Sequence, residues 1–283
     1  MSRFYSSFLS SIISPSEICK YLGLPCNRFT LQLFSLISHL NSLSEIECLQ
    51  KEYKHLDAGT FAANLIAELH ISIKVKIQSP SEVFLRMYAP YQPFIVICNH
   101  PFGALDGLAL LALLSVKTKG RIRLLANRLL VRIKPLQSML IGVENSSDNH
   151  QNFHAVKETI QHLQSGGVIA MFPAGSVERM NWRGRIVEAP WQESSIRLIQ
   201  RLSLPVLPIY FHGHNSLLFH FVGLMGGWRV RSLLLPRELL AKRGSRLLVS
   251  IGSPIMPEEL RQYDSRIEQL TQFLRERCLQ SAL

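Results

Sequence analysis

From Ile71 to Ile251 the chain alternates between short apolar runs of strand character and longer stretches with apolar residues at helical intervals. No other feature limits the fold as much. A strand–helix–strand rhythm buries its apolar faces as an α/β domain, a largely parallel or mixed sheet flanked by helices. Ile71, Ile73, Val75 and Ile77 interleave with Ser72, Lys74 and Lys76, the period of a half-buried strand. Phe94–Cys98 is a continuous apolar run, as expected of a strand covered on both faces. Asp106–Val116 reads as a buried helix and Arg121–Ala126 as a strand. Phe153, Val156, Ile160 and Leu163 trace one face of a helix that Gly166 and Gly167 close. Val168–Phe172, Pro205–Phe211 and Leu247–Ile251 read as further strands, with a helix at Trp191–Leu202. Pro257 opens a last charged helix running to about Gln280.

The leading residues 1–70 are expected to form a helical segment, and residues 71–283 the main domain. Leu33, Phe34, Ile37 and Leu40 sit at helical intervals between Phe29 and Leu43, the pattern of a helix packed on the domain. A membrane-lying helix is the sharper alternative, and it would carry more Lys and Arg on its polar face. Met1–Pro15 has a single Arg and no sustained apolar core, so it reads poorly as a signal peptide. No apolar run approaches the roughly 20 residues that span a bilayer. Cys19, Cys26, Cys48, Cys98 and Cys278 are scattered without metal-ligand or disulfide spacing, which favours a reducing compartment. The chain has 31 Lys and Arg against 20 Asp and Glu, a formal charge of +11, which points to an anionic partner. No zinc-finger, RRM or basic heptad pattern supports nucleic acid in that role.

The stretch richest in chemistry is Asn99-His100-Pro101-Phe102-Gly103-Ala104-Leu105-Asp106-Gly107. His100 follows a buried strand, and Asp106 opens the next helix. Imidazole titrates near neutrality and can take a proton from an alcohol. A carboxylate on its other nitrogen would fix the tautomer and stabilise the imidazolium. The bland alternative makes Asp106 a helix cap and His100 a strand end. Two histidine pairs, His150 with His154 and His212 with His214, have metal-like spacing but no accompanying carboxylate or Cys pattern, so no metal is expected. The Leu and Phe residues from Ser216 to Met225 could line an acyl chain or simply fill core.

Asn-His-Pro followed by Asp-Gly-Leu resembles the first motif of the phospholipid and glycerol acyltransferase superfamily, and more closely its hemolysin-like, lysophospholipid acyltransferase-like branch. Five residues separate His100 from Asp106, one more than is usual in the superfamily, and Gly103 can absorb the extra residue by adopting positive φ. Phe172-Pro173-Ala174-Gly175-Ser176 resembles the third motif, with Ala174 where a Glu is usual and Glu178 nearby. Amides of such a turn can form an anion-binding nest. Val206–Ser216, with Pro208 inside its strand, resembles the fourth motif, which shapes the acyl-chain side. The second motif normally carries an Arg for the acceptor phosphate, but Leu140–Asn145 has none. Arg128, Arg132 and Lys134 lie upstream, after Arg121 and Arg123, and the two arginines four apart share a face if the segment is α-helical. The resemblance runs from about Ile71 to Ile255.

The resemblance implies His100 as general base and Asp106 as its partner. It puts Asn99, Gly103, Phe172, Pro173, Gly175, Ser176 and Pro208 on the substrate side, and with no second-motif Arg the upstream Arg128 and Arg132 are the candidates for an acceptor phosphate. It implies no metal or redox cofactor. The donor would be acyl-CoA or acyl-carrier protein, and the acceptor a lysophospholipid or other lyso-lipid. The expected location is cytoplasmic, on the inner face of an anionic membrane. Two rival readings stand beside it. A serine lipid hydrolase would want a Gly-x-Ser-x-Gly elbow, which the chain lacks. A non-catalytic membrane-binding protein that kept the fold would fit the departures in the second and third motifs.

Overall fold

The computed structural model describes residues 52–53, 55–78, 92–144, 152–263 and 266–283. The expected helix at Phe29–Leu43, as well as Cys19, Cys26, Cys48 and His150, lies outside the described residues. Among those described, a seven-stranded sheet runs in the order β1-β9-β8-β2-β5-β3-β4. Its strands are β1 (Ser72–Ile77), β2 (Phe94–Cys98), β3 (Ile122–Asn127), β4 (Leu140–Val143), β5 (Val168–Met171), β8 (Val206–Phe211) and β9 (Arg246–Ile251). All neighbours pair in parallel except β8 with β9. A small antiparallel hairpin, β6 (Arg179–Met180) and β7 (Ile186–Val187), stands apart from it. The sheet is thus mixed, as the alternation implied.

β2 shows how the sheet divides the core. Phe94, Val96 and Cys98 point into one apolar cluster, Ile95 and Ile97 into the other, the two-residue period of a strand buried on both faces. The first cluster lies under α1 (Ala58–Glu68), α2 (Ala104–Lys117) and α6 (Leu235–Ala241). The second lies under α3 (Phe153–Gln164), α4 (Glu193–Leu202), α7 (Pro257–Arg261) and α8 (Ile267–Gln280). α1 is started by Asp57, whose carboxylate accepts from Gly59 N at 3.0 Å and Thr60 N at 3.1 Å. Its buried Ala58, Phe61, Ala62 and Leu65 place it inside the domain core. Gly59 allows close approach, since a Cβ there would meet Ser115 Oγ at 2.4 Å.

Several local expectations are corrected. β1 is an edge strand on which Val75 and Ile77 are exposed, so its alternation does not mark a half-buried strand. α3 buries Ala155, Thr159 and Leu163, while Phe153 and Val156 face outward. The buried stripe is thus rotated from the one traced by its largest side chains. The charged C-terminal stretch is two helices, α7 and α8, parted by a turn at Gln262 and Tyr263. Pro208 is tolerated in a central strand because the β8–β9 ladder is interrupted beside it. β9 leaves at Ile251, Gly252 N bonds Pro208 O at 2.9 Å, and Ile255 returns to Val206.

Because β2, β3, β5 and β8 are mutually parallel, the loops after all four open on one edge of the sheet. Catalytic groups in open α/β sheets gather at such an edge.

Candidate active site

His100 stands two residues past the end of β2. Asn99, between them, is buried, and its side chain grips β8 in both directions: Nδ2 donates to Phe211 O at 2.9 Å, and Oδ1 accepts from Phe211 N at 2.7 Å. Both polar atoms of Asn99 are thus engaged with β8, and its side chain also bonds Glu178. Its amide extends the ladder by one rung and fixes where His100 leaves the sheet.

The chain then turns through Gly103, whose φ of 85° lies where side chains are disfavoured. A Cβ there would also sit 2.7 Å from Leu235 Cδ2. This turn brings Asp106, in the first turn of α2, back under the imidazole. His100 Nδ1 lies 2.9 Å from Asp106 Oδ2, and the same oxygen accepts from Phe102 N and Gly103 N, each at 2.9 Å. The two alternatives read from the sequence are thus both present, since Asp106 caps its helix and holds the histidine. Asp106 is fully buried, while the His100 side chain keeps 16 % of its surface exposed. With Nδ1 directed at the carboxylate, Nε2 remains as the imidazole's other polar atom.

Phe172 closes one side of the imidazole, its ring stacked at 3.9 Å and 17°. After it the third-motif turn folds tightly. Gly175, at φ 63°, donates its N–H to Phe172 O at 2.8 Å, and Gln192 N bonds Pro173 O at 2.8 Å. Glu178 N donates to His100 O at 3.0 Å, tying the turn to the base. The Gly175 amide therefore serves the turn itself. The donors of Ser176 and Val177 reach no backbone carbonyl among the described residues. Pro208 is buried one strand over from Ile97, three residues before the Phe211 that Asn99 grips.

Two carboxyls add to the electrostatics. Burial pushes Glu178 up to about 7, with Glu188 and Asp106 adding to the push and Asn99 opposing it. Burial also raises Glu188, against the pull of Trp191, Arg275 and His100. Trp191 Nε1 donates to Glu188 Oε2 at 2.9 Å. Sequence reasoning passed over Glu188, although a lone acid between Ile186-Val187 and Ala189-Pro190-Trp191 was a visible signal. It also passed over Arg231, which is buried and donates to Val177 O at 2.6 Å and Glu178 O at 2.8 Å. Burial first, and Arg179 second, lower its guanidinium to about 10.

The basic cluster is not assembled as expected. Arg128 and Arg132 lie on a 3₁₀ helix, Arg128–Arg132, where positions three apart eclipse, so residues four apart diverge. Arg128 faces Glu144 at 3.6 Å and Arg123 bonds Glu158 at 2.8 Å. Arg121 donates to Gly166 O. Arg128 follows β3, two strands away from β2 in the sheet. Of the second histidine pair, each ring has its own partner. His212 Nε2 bonds Ser250 Oγ at 2.8 Å, and His214 Nδ1 bonds Asn215 O at 2.8 Å.

The sequence model of a family described as acyltransferase matches residues 67–281 of the chain. A protein of Phocaeicola vulgatus named lyso-glycine lipid O-acyltransferase is 29% identical over 164 residues, covering 56% of this chain and 58% of that protein. A protein of the same name from Bacteroides thetaiotaomicron is 27% identical over 167 residues, covering 57% of this chain and 60% of that protein. The chain thus spans less than two thirds of the length of either relative.

Proposed function

Since this chain belongs to the acyltransferase family, we propose that it transfers a fatty acyl group from a thioester, acyl-CoA or acyl-carrier protein, to a lyso-lipid hydroxyl, working at an anionic membrane surface on the cytoplasmic side. The observation that carries this reading is the 2.9 Å contact between His100 Nδ1 and Asp106 Oδ2 at the edge where parallel strands end.

His100 Nε2 takes the proton of the acceptor hydroxyl as its oxygen attacks the thioester carbonyl. Asp106 holds the Nδ1–H tautomer and balances the imidazolium. Negative charge gathers on the former carbonyl oxygen, where the amides of Ser176 and Val177 are the candidate donors. The tetrahedral species collapses with cleavage of the C–S bond, and the departing thiolate receives the proton held by His100. No acyl-enzyme is formed. Stacking on Phe172 keeps the ring from turning away, and the bond from Glu178 N to His100 O holds the backbone beneath it.

A phosphate-free acceptor such as a lyso-glycine lipid suits this site better than a lysophospholipid. Arg128, upstream of the second-motif stretch, already meets the carboxylate of Glu144 within it. The activity for which both relatives are named points the same way.

The test is incubation of the purified chain with acyl-CoA or acyl-carrier protein against lyso-glycine lipid and lysophospholipids in ¹⁸O-labelled water, read by mass spectrometry. Acylated lyso-lipid without labelled fatty acid is expected. Labelled free fatty acid with no acylated lipid would make the protein a hydrolase and overturn the reading.

A further inference from the structure

Helix α5 (Leu217–Ser232) starts at Ser216, whose backbone N–H and hydroxyl both bond the buried Glu238 carboxylate, at 2.8 and 2.6 Å. Its inner side is Phe219 and His220, 1 % and 0 % exposed. Its outer side is unusual: Leu217, Leu218, Phe221 and Met225 are 66, 48, 57 and 70 % exposed. Spacings of three and four residues put these side chains on one helical face. Single exposed apolar residues need no explanation, but a contiguous row of four does.

The hairpin β6–β7 packs against α5. Its connection carries Trp182, 81 % exposed, between exposed Arg179 on one side and Arg183 and Arg185 on the other. From Arg179 to Val187 there are three arginines and no carboxylate, and α5 contains no carboxylate either. Exposed aliphatic and aromatic groups beside an exposed Trp and three exposed arginines match the boundary layer of an anionic bilayer. Trp settles at headgroup depth, apolar side chains sink below it, and arginine meets lipid phosphate.

We propose that the outer face of α5 and the β6–β7 connection dock this protein on an anionic lipid leaflet. The docking deepens the acyl-transfer reading and rests on it for the identity of the acceptor. The helix is tied to the site: past a kink at Gly227, Arg231 of α5 holds the carbonyls of Val177 and Glu178, and Glu178 N holds His100 O. A lyso-lipid leaving the leaflet along α5 therefore meets the segment that braces the base.

The experiment uses the full chain with vesicles of phosphatidylcholine alone or mixed with phosphatidylglycerol, read by co-sedimentation and Trp fluorescence. Wild type should prefer the mixed vesicles, with a blue shift that Trp182→Ala diminishes. Leu218→Ser with Phe221→Ser should weaken binding to mixed vesicles by about tenfold or more. Arg183→Glu with Arg185→Glu should abolish the preference for anionic vesicles. Both double variants should keep the wild-type rate on a short-chain acceptor dissolved as monomers. Unchanged vesicle binding in both would overturn the proposal. So would loss of binding in Phe34→Ser with Ile37→Ser instead, which assigns docking to the leading segment. A wild-type dimer that Phe221→Ser dissociates would assign the face to a second copy and overturn it too. If no lyso-lipid is acylated while the α5 variants still lose vesicle binding, the docking stands and the acyl-transfer reading falls.

Discussion

Three N–H groups converge on one oxygen of Asp106: the imidazole Nδ1 and the amides of Phe102 and Gly103. That convergence makes one residue both the lock on the loop and the orienter of the base. Asp106→Asn keeps the shape but removes the charge that balances an imidazolium, so acyl transfer should fall roughly 10²–10⁴-fold. Steady-state rates with a circular-dichroism check of the fold measure this. Gly103 works through the backbone. Its φ is 85°, and a Cβ added there would lie 2.7 Å from Leu235. Gly103→Ala should therefore cost roughly 1–3 kcal/mol in urea denaturation and slow the reaction by displacing Asp106. Glu178 offers a pH test. Its carboxyl is raised from 4.5 to about 7 in the fold, so between those values the native state binds more protons than the unfolded chain, and stability falls as pH rises. Glu178→Gln removes that loss. Above pH ~8 the variant should be the more stable by roughly 1 kcal/mol, after allowance for solvent screening, and near pH ~4 the two should be equal.

Elements differ in how plainly their residues declare them. Phe94–Cys98 is apolar throughout because both faces of β2 are covered, and a run of that kind is legible without a structure. α3 is not. Its largest apolar side chains, Phe153 and Val156, face outward, while small Ala155 and polar Thr159 are buried with Leu163. Size misled there, because a helix lying close on a sheet selects small residues at the contact. Leu163→Ala should therefore cost about 2–5 kcal/mol and Phe153→Ser stay within about 0.5 kcal/mol by urea denaturation. Equal losses at both positions would return the outward face to the core. The Arg128–Arg132 segment hid its geometry for another reason: the step from α to 3₁₀ winding changes which residues share a face and is not encoded in apolar spacing. In the site, His100, Gly103 and Asp106 were legible because their chemistry and spacing are local. The bonds of Asn99 were not foreseen and Arg231 was missed because their partners, Phe211, Val177 and Glu178, lie far away in sequence.

For the molecule as a whole, parallel pairing of β2, β3, β5 and β8 assembles the site, since it brings loops distant in sequence to one edge. Asn99 fixes β2 to β8, Glu178 fixes the third-motif turn to His100, and Arg231 fixes that turn to α5. These bonds brace the backbone that carries His100, and the proposed chemistry stands or falls on its imidazole. The most direct measurement is the acyl-transfer rate of His100→Ala with the acceptor found in the substrate panel, alongside its urea denaturation curve. A general base at this position predicts a rate roughly 10²–10⁴-fold lower with folding largely preserved. A folded His100→Ala variant that transfers acyl groups at the wild-type rate would contradict it.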